Sequence, residues 1–213
     1  ESTKNTIKDL MAKVGVSVGS TPEKEFAARK KGLVDMYKTL ASNMTNEGLL
    51  LGVAEDKAEL AGSFLNALDP VIDGKGEVTR WGRELFKPPF MTFNYGAGWN
   101  KIKSEMAEAV IDKFMQRLEK TSEDAKMEKF MQLLLGNDKS FKENKKLLMS
   151  KDLSEVYSGE DTVLDSLKTL IVGTYGNTAE NIMKNEFSYM EEVNGAIING
   201  MKAVHAVWES KFR

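Results

Sequence analysis

WNKIKSEMAEAVIDKFMQRL, residues 99–118, decides the fold class. Its apolar residues are Trp99, Ile102, Met106, Val110, Ile111, Phe114, Met115 and Leu118, recurring in steps of three, four and one. That spacing lines one face of a helix with about 3.6 residues per turn; a strand, with a period of two, would scatter it. Downstream, Thr121-Ser122-Glu123-Asp124 offers caps for the next helix, and Gly136-Asn137-Asp138 closes it. Shorter helical pieces are expected at 140–149 and 161–172, then a loop at Gly173-Thr174-Tyr175-Gly176-Asn177. A helical segment over 178–211 follows, with Ile197, Met201, Val204 and Trp208 on one face.

Upstream, a short helix over 5–14 ends at Gly15 to Gly19. Ser20-Thr21-Pro22-Glu23 starts another, with a hydroxyl cap and a proline in the first turn, where its missing N–H costs nothing. It extends through Tyr37 and Leu40 to Met44, and Asn46-Glu47 leads into a further run ending near Leu68 at Asp69-Pro70. Asp73-Gly74-Lys75-Gly76 is a turn. Strand patterns are weak and no repeat has a solenoid period. The expected fold is mainly α, one irregular multi-helix region over 1–213.

Composition narrows the chemistry. With 41% apolar and 29% charged residues, the 213-residue chain is globular rather than disordered. The lack of cysteine excludes disulfides, thiolate zinc sites and a cysteine nucleophile. The single histidine, His205, excludes multi-histidine metal sites and reads as a packing or surface residue. No apolar run approaches the ~18–20 residues that span a bilayer, and Glu1-Ser2-Thr3-Lys4 has no signal pattern. The expectation is a cytoplasmic protein without membrane contact; lacking a starting Met, it reads as part of something longer.

The net charge of −2 conceals a local excess. Residues 75–103 hold Lys75, Arg80, Arg83, Lys87, Lys101 and Lys103 against Glu77 and Glu84, six cations and two carboxylates, or +4. The same stretch holds Trp81, Phe86, Phe90, Phe93, Tyr95 and Trp99. Cations interleaved with aromatics suit a polyanion whose bases stack; they equally suit a helix whose basic side chains reach past an apolar core. Arg83 and Lys87 stand four apart, so on a helix they share a face and repel by a few tenths of a kcal/mol. A polyphosphate between them relieves that, through charge-assisted bonds of about 1.5–3 kcal/mol each. Tyr95 falls eight after Lys87, and Gly96 lets a base or backbone approach.

The segment Arg83-Glu84-Leu85-Phe86-Lys87-Pro88-Pro89-Phe90-Met91-Thr92-Phe93-Asn94-Tyr95-Gly96 resembles motif B, Arg-x3-Lys-x7-Tyr-Gly, shared by single-subunit RNA polymerases and family A DNA polymerases. The Met91-Thr92-x-x-Tyr95-Gly96 ending resembles the RNA polymerase branch, of bacteriophage and mitochondrial type. Asp35-Met36-Tyr37-Lys38-Thr39-Leu40-Ala41 is similar to a helix that precedes motif B in these enzymes. The resemblance implies the fingers subdomain of a right-hand polymerase, with residues 1–20 as a remnant of the palm. It implies that Arg83 and Lys87 contact the triphosphate of the incoming ribonucleoside triphosphate, and that Lys87 neutralises or protonates the leaving pyrophosphate. By the same resemblance Met91 lines the nucleotide pocket, Tyr95 stacks near the templating base and selects ribose, and Gly96 leaves room for the DNA template. The reaction implied is attack of an RNA transcript's 3′-hydroxyl on the α-phosphate, with two Mg²⁺ ions.

The metal-binding aspartates of the family's palm are not visible: Glu1 is a glutamate, and Val204-His205-Ala206-Val207 is not His-Asp. No metal site is expected here; palm and thumb would lie in the same parent chain or a partner, and the isolated chain would be inactive. Pro88 and Pro89 are expected to break or kink a helix between Lys87 and Tyr95. Tyr175-Gly176, Gly15-x-x-x-Gly19, Lys139 to Lys146 and the pairs Glu55-Asp56 and Glu123-Asp124 read as loop or solvated surface, and the 12 methionines as core filler. Two alternatives stay open: the fingers of a family A DNA polymerase, and a non-catalytic helical interaction module.

Overall fold

The computed structural model describes residues 38–44, 46–94 and 97–212. The expected helices at 5–14 and from Ser20, and the Asp35-to-Tyr37 part of the upstream motif, lie outside these residues, as do Tyr95 and Gly96.

The described chain is mainly α. Helix α1 covers 38–43, α2 Asn46–Leu50, α3 Ala58–Ala67, α4 Arg80–Asn94, α5 Trp99–Lys120, α6 Ala125–Leu135, α7 Phe141–Ser150, α8 Val163–Ile171, α9 Asn177–Glu186 and α10 Ser188–Phe212. A two-residue antiparallel ladder, β1 Tyr157–Ser158 and β2 Asp161–Thr162, pairs Tyr157 with Thr162.

Helix α5 is the axis of the core. Its stripe of Ile102, Met106, Val110, Phe114 and Leu118 is buried, as the spacing predicts. It packs on α4 along one side and on α8 and the turn after it along another. Helices α3 and α6 close the core through aromatic contacts: Phe130 lies 5.2 Å from Phe64 and 5.4 Å from Phe114, ring centre to ring centre.

The ends of these helices are held by the groups the sequence offers. Asp124 accepts from the backbone N–H groups of Lys126 and Met127 and starts α6, which Gly136 ends in the left-handed conformation. Ser140 and Glu143 form a reciprocal capping box on α7. Lys145, on the basic stretch 139–146, donates from Nζ to the carbonyls of Glu119 and Thr121 and neutralises the end of α5.

Five expectations are corrected. The run from Asn46 to Leu68 is interrupted at 51–54, with a 3₁₀ turn at Glu55–Lys57 before α3. Gly173 to Asn177 is not a loop: Val172–Gly176 is a π-helical turn joining α8 to α9, and Thr174, Tyr175 and Gly176 are buried. A buried loop would strand backbone polar groups, whereas a continuing helix pairs them. The glycines there serve close approach. A Cβ on Gly176 would meet the Lys103 side chain at 3.0 Å, and one on Gly52 would meet the carbonyl of Gly173 at 2.7 Å. The expected helix over 178–211 is divided at Phe187. On α10, Ile197, Met201, Val204 and Trp208 are exposed, as is His205. Not every methionine is core filler either, since Met91, Met149 and Met201 are exposed.

The fifth correction concerns Pro88 and Pro89, which lie inside an unbroken α4. Each interior proline costs about 3 kcal/mol. Against that, Trp81, Leu85, Phe86, Phe90 and Phe93 are buried on one face of the helix. At about 1.5–3 kcal/mol per side chain, that face outweighs both prolines.

Candidate nucleotide-binding helix

The start of α4 is built by the loop before it. Asp73 Oδ1 accepts from the backbone N–H groups of Lys75 and Glu77, an Asx turn that brings Ile72 and Val78 into a single antiparallel bridge. This delivers Thr79 to the helix as its cap. Its hydroxyl accepts from Gly82 N at 3.0 Å and donates back to the carbonyls of Pro70 and Val71, while Arg83 N bonds to its carbonyl at 3.1 Å. Sequence reading passed over Thr79; the signal available was a hydroxyl residue just before the helix.

Opposite Trp81, charged groups tie the helix to its neighbours. Lys113 Nζ lies 5.5 Å from the centre of the Trp81 ring. Lys113 also pairs with Asp69 at 3.7 Å, and Asp69 pairs with Arg117, which reaches Asp124 at 3.6 Å. The end of α3, the body of α5 and the cap of α6 are thereby joined beside the first turn of α4.

The two faces of α4 then separate cleanly. Trp81, Leu85, Phe86, Pro89, Phe90 and Phe93 face the core; Arg80, Arg83, Glu84, Lys87, Pro88 and Met91 face solvent. The described aromatic residues of the basic stretch are thus packing groups, Trp99 in part, with Phe93 5.3 Å from Trp99. The cations are the surface. Arg83, Lys87 and Met91 stand four apart on one exposed row, with Met91 40% accessible. Arg80 is paired with Glu84 at 2.7 Å, but Arg83 and Lys87 have no ion pair among the described residues.

The far end of α4 is tied to α5. Thr92 Oγ1 donates to Glu105 Oε2 at 2.7 Å, and Ala97 N donates to the Thr92 carbonyl at 3.2 Å, the 6→1 closure of a helix end. The Thr92–Glu105 pair has no local sequence signal, being thirteen residues apart. Lys101 and Lys75 are exposed, whereas Lys103 is mostly buried, bonding to Asn177 at 2.8 Å and pairing with Glu180. Burial by itself raises the Glu180 carboxyl, but hydrogen bonds and charge from Lys103 and Lys184 bring it below its ordinary value.

Among the described residues, no group of three or more His, Cys, Asp or Glu side chains could hold a metal ion. No helix among them is long and apolar enough to cross a membrane.

The described residues form a mainly α domain whose helix α4 presents a row of cations to solvent, and the comparison with protein families places it. Residues 29–212 match the family model of the bacteriophage N4 RNA polymerase, helical domain, and the chain belongs to that family. No curated protein and no solved structure matches the chain significantly.

Proposed function

We propose that this helical domain forms the fingers of a DNA-directed RNA polymerase and that α4 grips the incoming ribonucleoside triphosphate. In this reading Arg83 and Lys87 hold the triphosphate, and Lys87 offsets the charge that develops on departing pyrophosphate. Met91 lines the nucleotide pocket, Tyr95 stacks near the templating base and favours ribose, and Gly96 gives the DNA template room. The domain takes up residues 1–213, with 1–20 a remnant of the palm. Mg²⁺ would be held by the palm's aspartates, outside this chain, and palm and thumb would come from the parent polypeptide or a partner.

The observation that supports this reading best is the row of Arg83, Lys87 and Met91 on the solvent face of α4, with both cations unpaired among the described residues. Two like charges one turn apart are mildly destabilising without a counter-ion. A triphosphate supplies several anionic oxygens, enough to accept hydrogen bonds from both side chains. Cations aimed at developing negative charge act by electrostatic preorganisation, and removing one such group commonly costs about 10²–10³ in rate.

The test is Lys87→Ala in the RNA polymerase that carries this chain. The expected result is a loss of about 10²–10³-fold in nucleotide addition with template binding retained. An unchanged rate would end the reading and leave a helical interaction domain.

A further inference from the structure

We propose that Thr92 and Glu105 form a positioning pair that sets the aim of Met91, and through it the affinity of the pocket for the incoming nucleotide. The inference rests on the nucleotide-binding reading of α4, which gives neither residue a role.

The need for such a pair follows from the prolines. Pro88 and Pro89 have no N–H, so α4 lacks the two ladder bonds that would run back to the carbonyls of Glu84 and Leu85. The interruption falls between the turn bearing Lys87 and the turn bearing Met91. The second turn is therefore poorly coupled to the first through its own backbone and must be held from outside.

Apolar packing does part of this, since Phe90 and Phe93 are buried and Phe93 meets Trp99. Packing of that kind is non-directional and tolerates a small rotation of the turn about the helix axis. A hydrogen bond to a carboxylate is directional and stronger. Threonine inside a helix commonly returns its hydroxyl to the carbonyl one turn back. Here the hydroxyl of Thr92 reaches across to Glu105 on α5, while its carbonyl accepts from Ala97 N. One residue is thus fixed through both side chain and main chain, next in sequence to Met91. Glu105 is half-buried and makes no ion pair among the described residues, so its charge is directed at this hydroxyl.

The test uses Thr92→Val, Glu105→Gln, their combination and Thr92→Ser in the RNA polymerase that carries the chain, beside Lys87→Ala. The expected result for Thr92→Val is a KM for NTP raised about tenfold, the size expected from losing one charge-assisted bond. Glu105→Gln, which keeps an acceptor, should lie between it and wild type. The double variant should be no worse than Thr92→Val, and Thr92→Ser should restore wild-type values. If Thr92→Val lowers only thermal stability and leaves KM unchanged while Lys87→Ala is impaired, the pair is merely structural and the inference is overturned. If Lys87→Ala is itself unimpaired, the reading beneath it has failed.

Discussion

Gly82→Ala at the start of α4 puts helix propensity and close packing in opposition. Alanine is the better helix former by about 0.8–1.0 kcal/mol, so propensity alone predicts a stabilised protein. The surroundings predict the reverse. An added Cβ would stand 2.5 Å from the Val71 carbonyl oxygen, 3.3 Å from its carbon and 3.0 Å from Val78 Cγ1. The first two contacts are backbone, so the loop has to move, and Val71 O is held by Thr79 N at 3.0 Å and Thr79 Oγ1 at 3.2 Å. Displacing it weakens both bonds, at about 0.5–1.5 kcal/mol each, and strains the Thr79 cap on Gly82 N, a further ~1 kcal/mol. Set against the propensity gain, the net expectation is a destabilisation of about 1–3 kcal/mol. Urea unfolding of the 213-residue chain, followed by far-ultraviolet circular dichroism, measures it as a lower midpoint at unchanged slope. A midpoint equal to or above wild type would refute the claim that α4 is seated by contact with Val71. Thr79→Val, which removes the cap without adding bulk there, should lose about 1 kcal/mol in the same assay.

The remaining expectations concern the rest of the frame. Glu180 has its folded pKa lowered, so its stabilising contribution is full above the ordinary value of 4.5 and is lost as pH falls through the folded value. The melting temperature should therefore drop on acidification below about pH 4.5, and Glu180→Gln should shrink that drop while lowering stability at neutral pH. Asp124→Ala removes the acceptor for two backbone N–H groups and should cost about 1 kcal/mol in chemical denaturation.

What was legible in the sequence was periodic or local. The stripe from Ile102 to Leu118 marked α5 because a buried helix repeats its apolar residues every three or four positions, and Asp124 and Gly136 marked their helix ends through groups within three residues. The charge excess and the spacing of Arg83 and Lys87 marked the exposed row of α4. What was misread turned on contacts distant in sequence. Gly173 and Gly176 look like loop residues, but Gly176 makes room for Lys103, and Gly52 meets the Gly173 carbonyl from far upstream. Pro88 and Pro89 look like a break because their cost is local, while the burial that outweighs it comes from another helix. The aromatics between residues 75 and 103 looked available for stacking, and only the packing of α4 on α5 showed that the described ones, Trp99 in part, turn inward. Glu105 gives no sign in sequence of its bond to Thr92.

The row 79-83-87-91 also shows what α4 leaves out. A solvated helix face usually neutralises itself with opposite charges four apart, and this chain does so at Arg80–Glu84 and Glu180–Lys184. On the row itself, the position four before Arg83 is Thr79, used as the cap, and the position four after Lys87 is Met91, apolar and exposed. Met91→Glu would supply the missing carboxylate. A Lys–Glu pair at this spacing gains about 0.3–0.5 kcal/mol, and a carboxylate near the helix C-terminus loses a similar amount to the macrodipole, so stability should stay within about 0.5 kcal/mol of wild type. Triphosphate binding should not stay the same: a negative charge one turn from Lys87 both occupies that cation and repels the phosphates. About tenfold weaker NTP binding at low salt is expected, with the difference shrinking as salt screens it. Equal stability with weaker NTP binding means that the row is kept unpaired for an external anion. Equal stability with unchanged NTP binding means that the phosphates lie elsewhere and that the open row on α4 is an ordinary solvated surface.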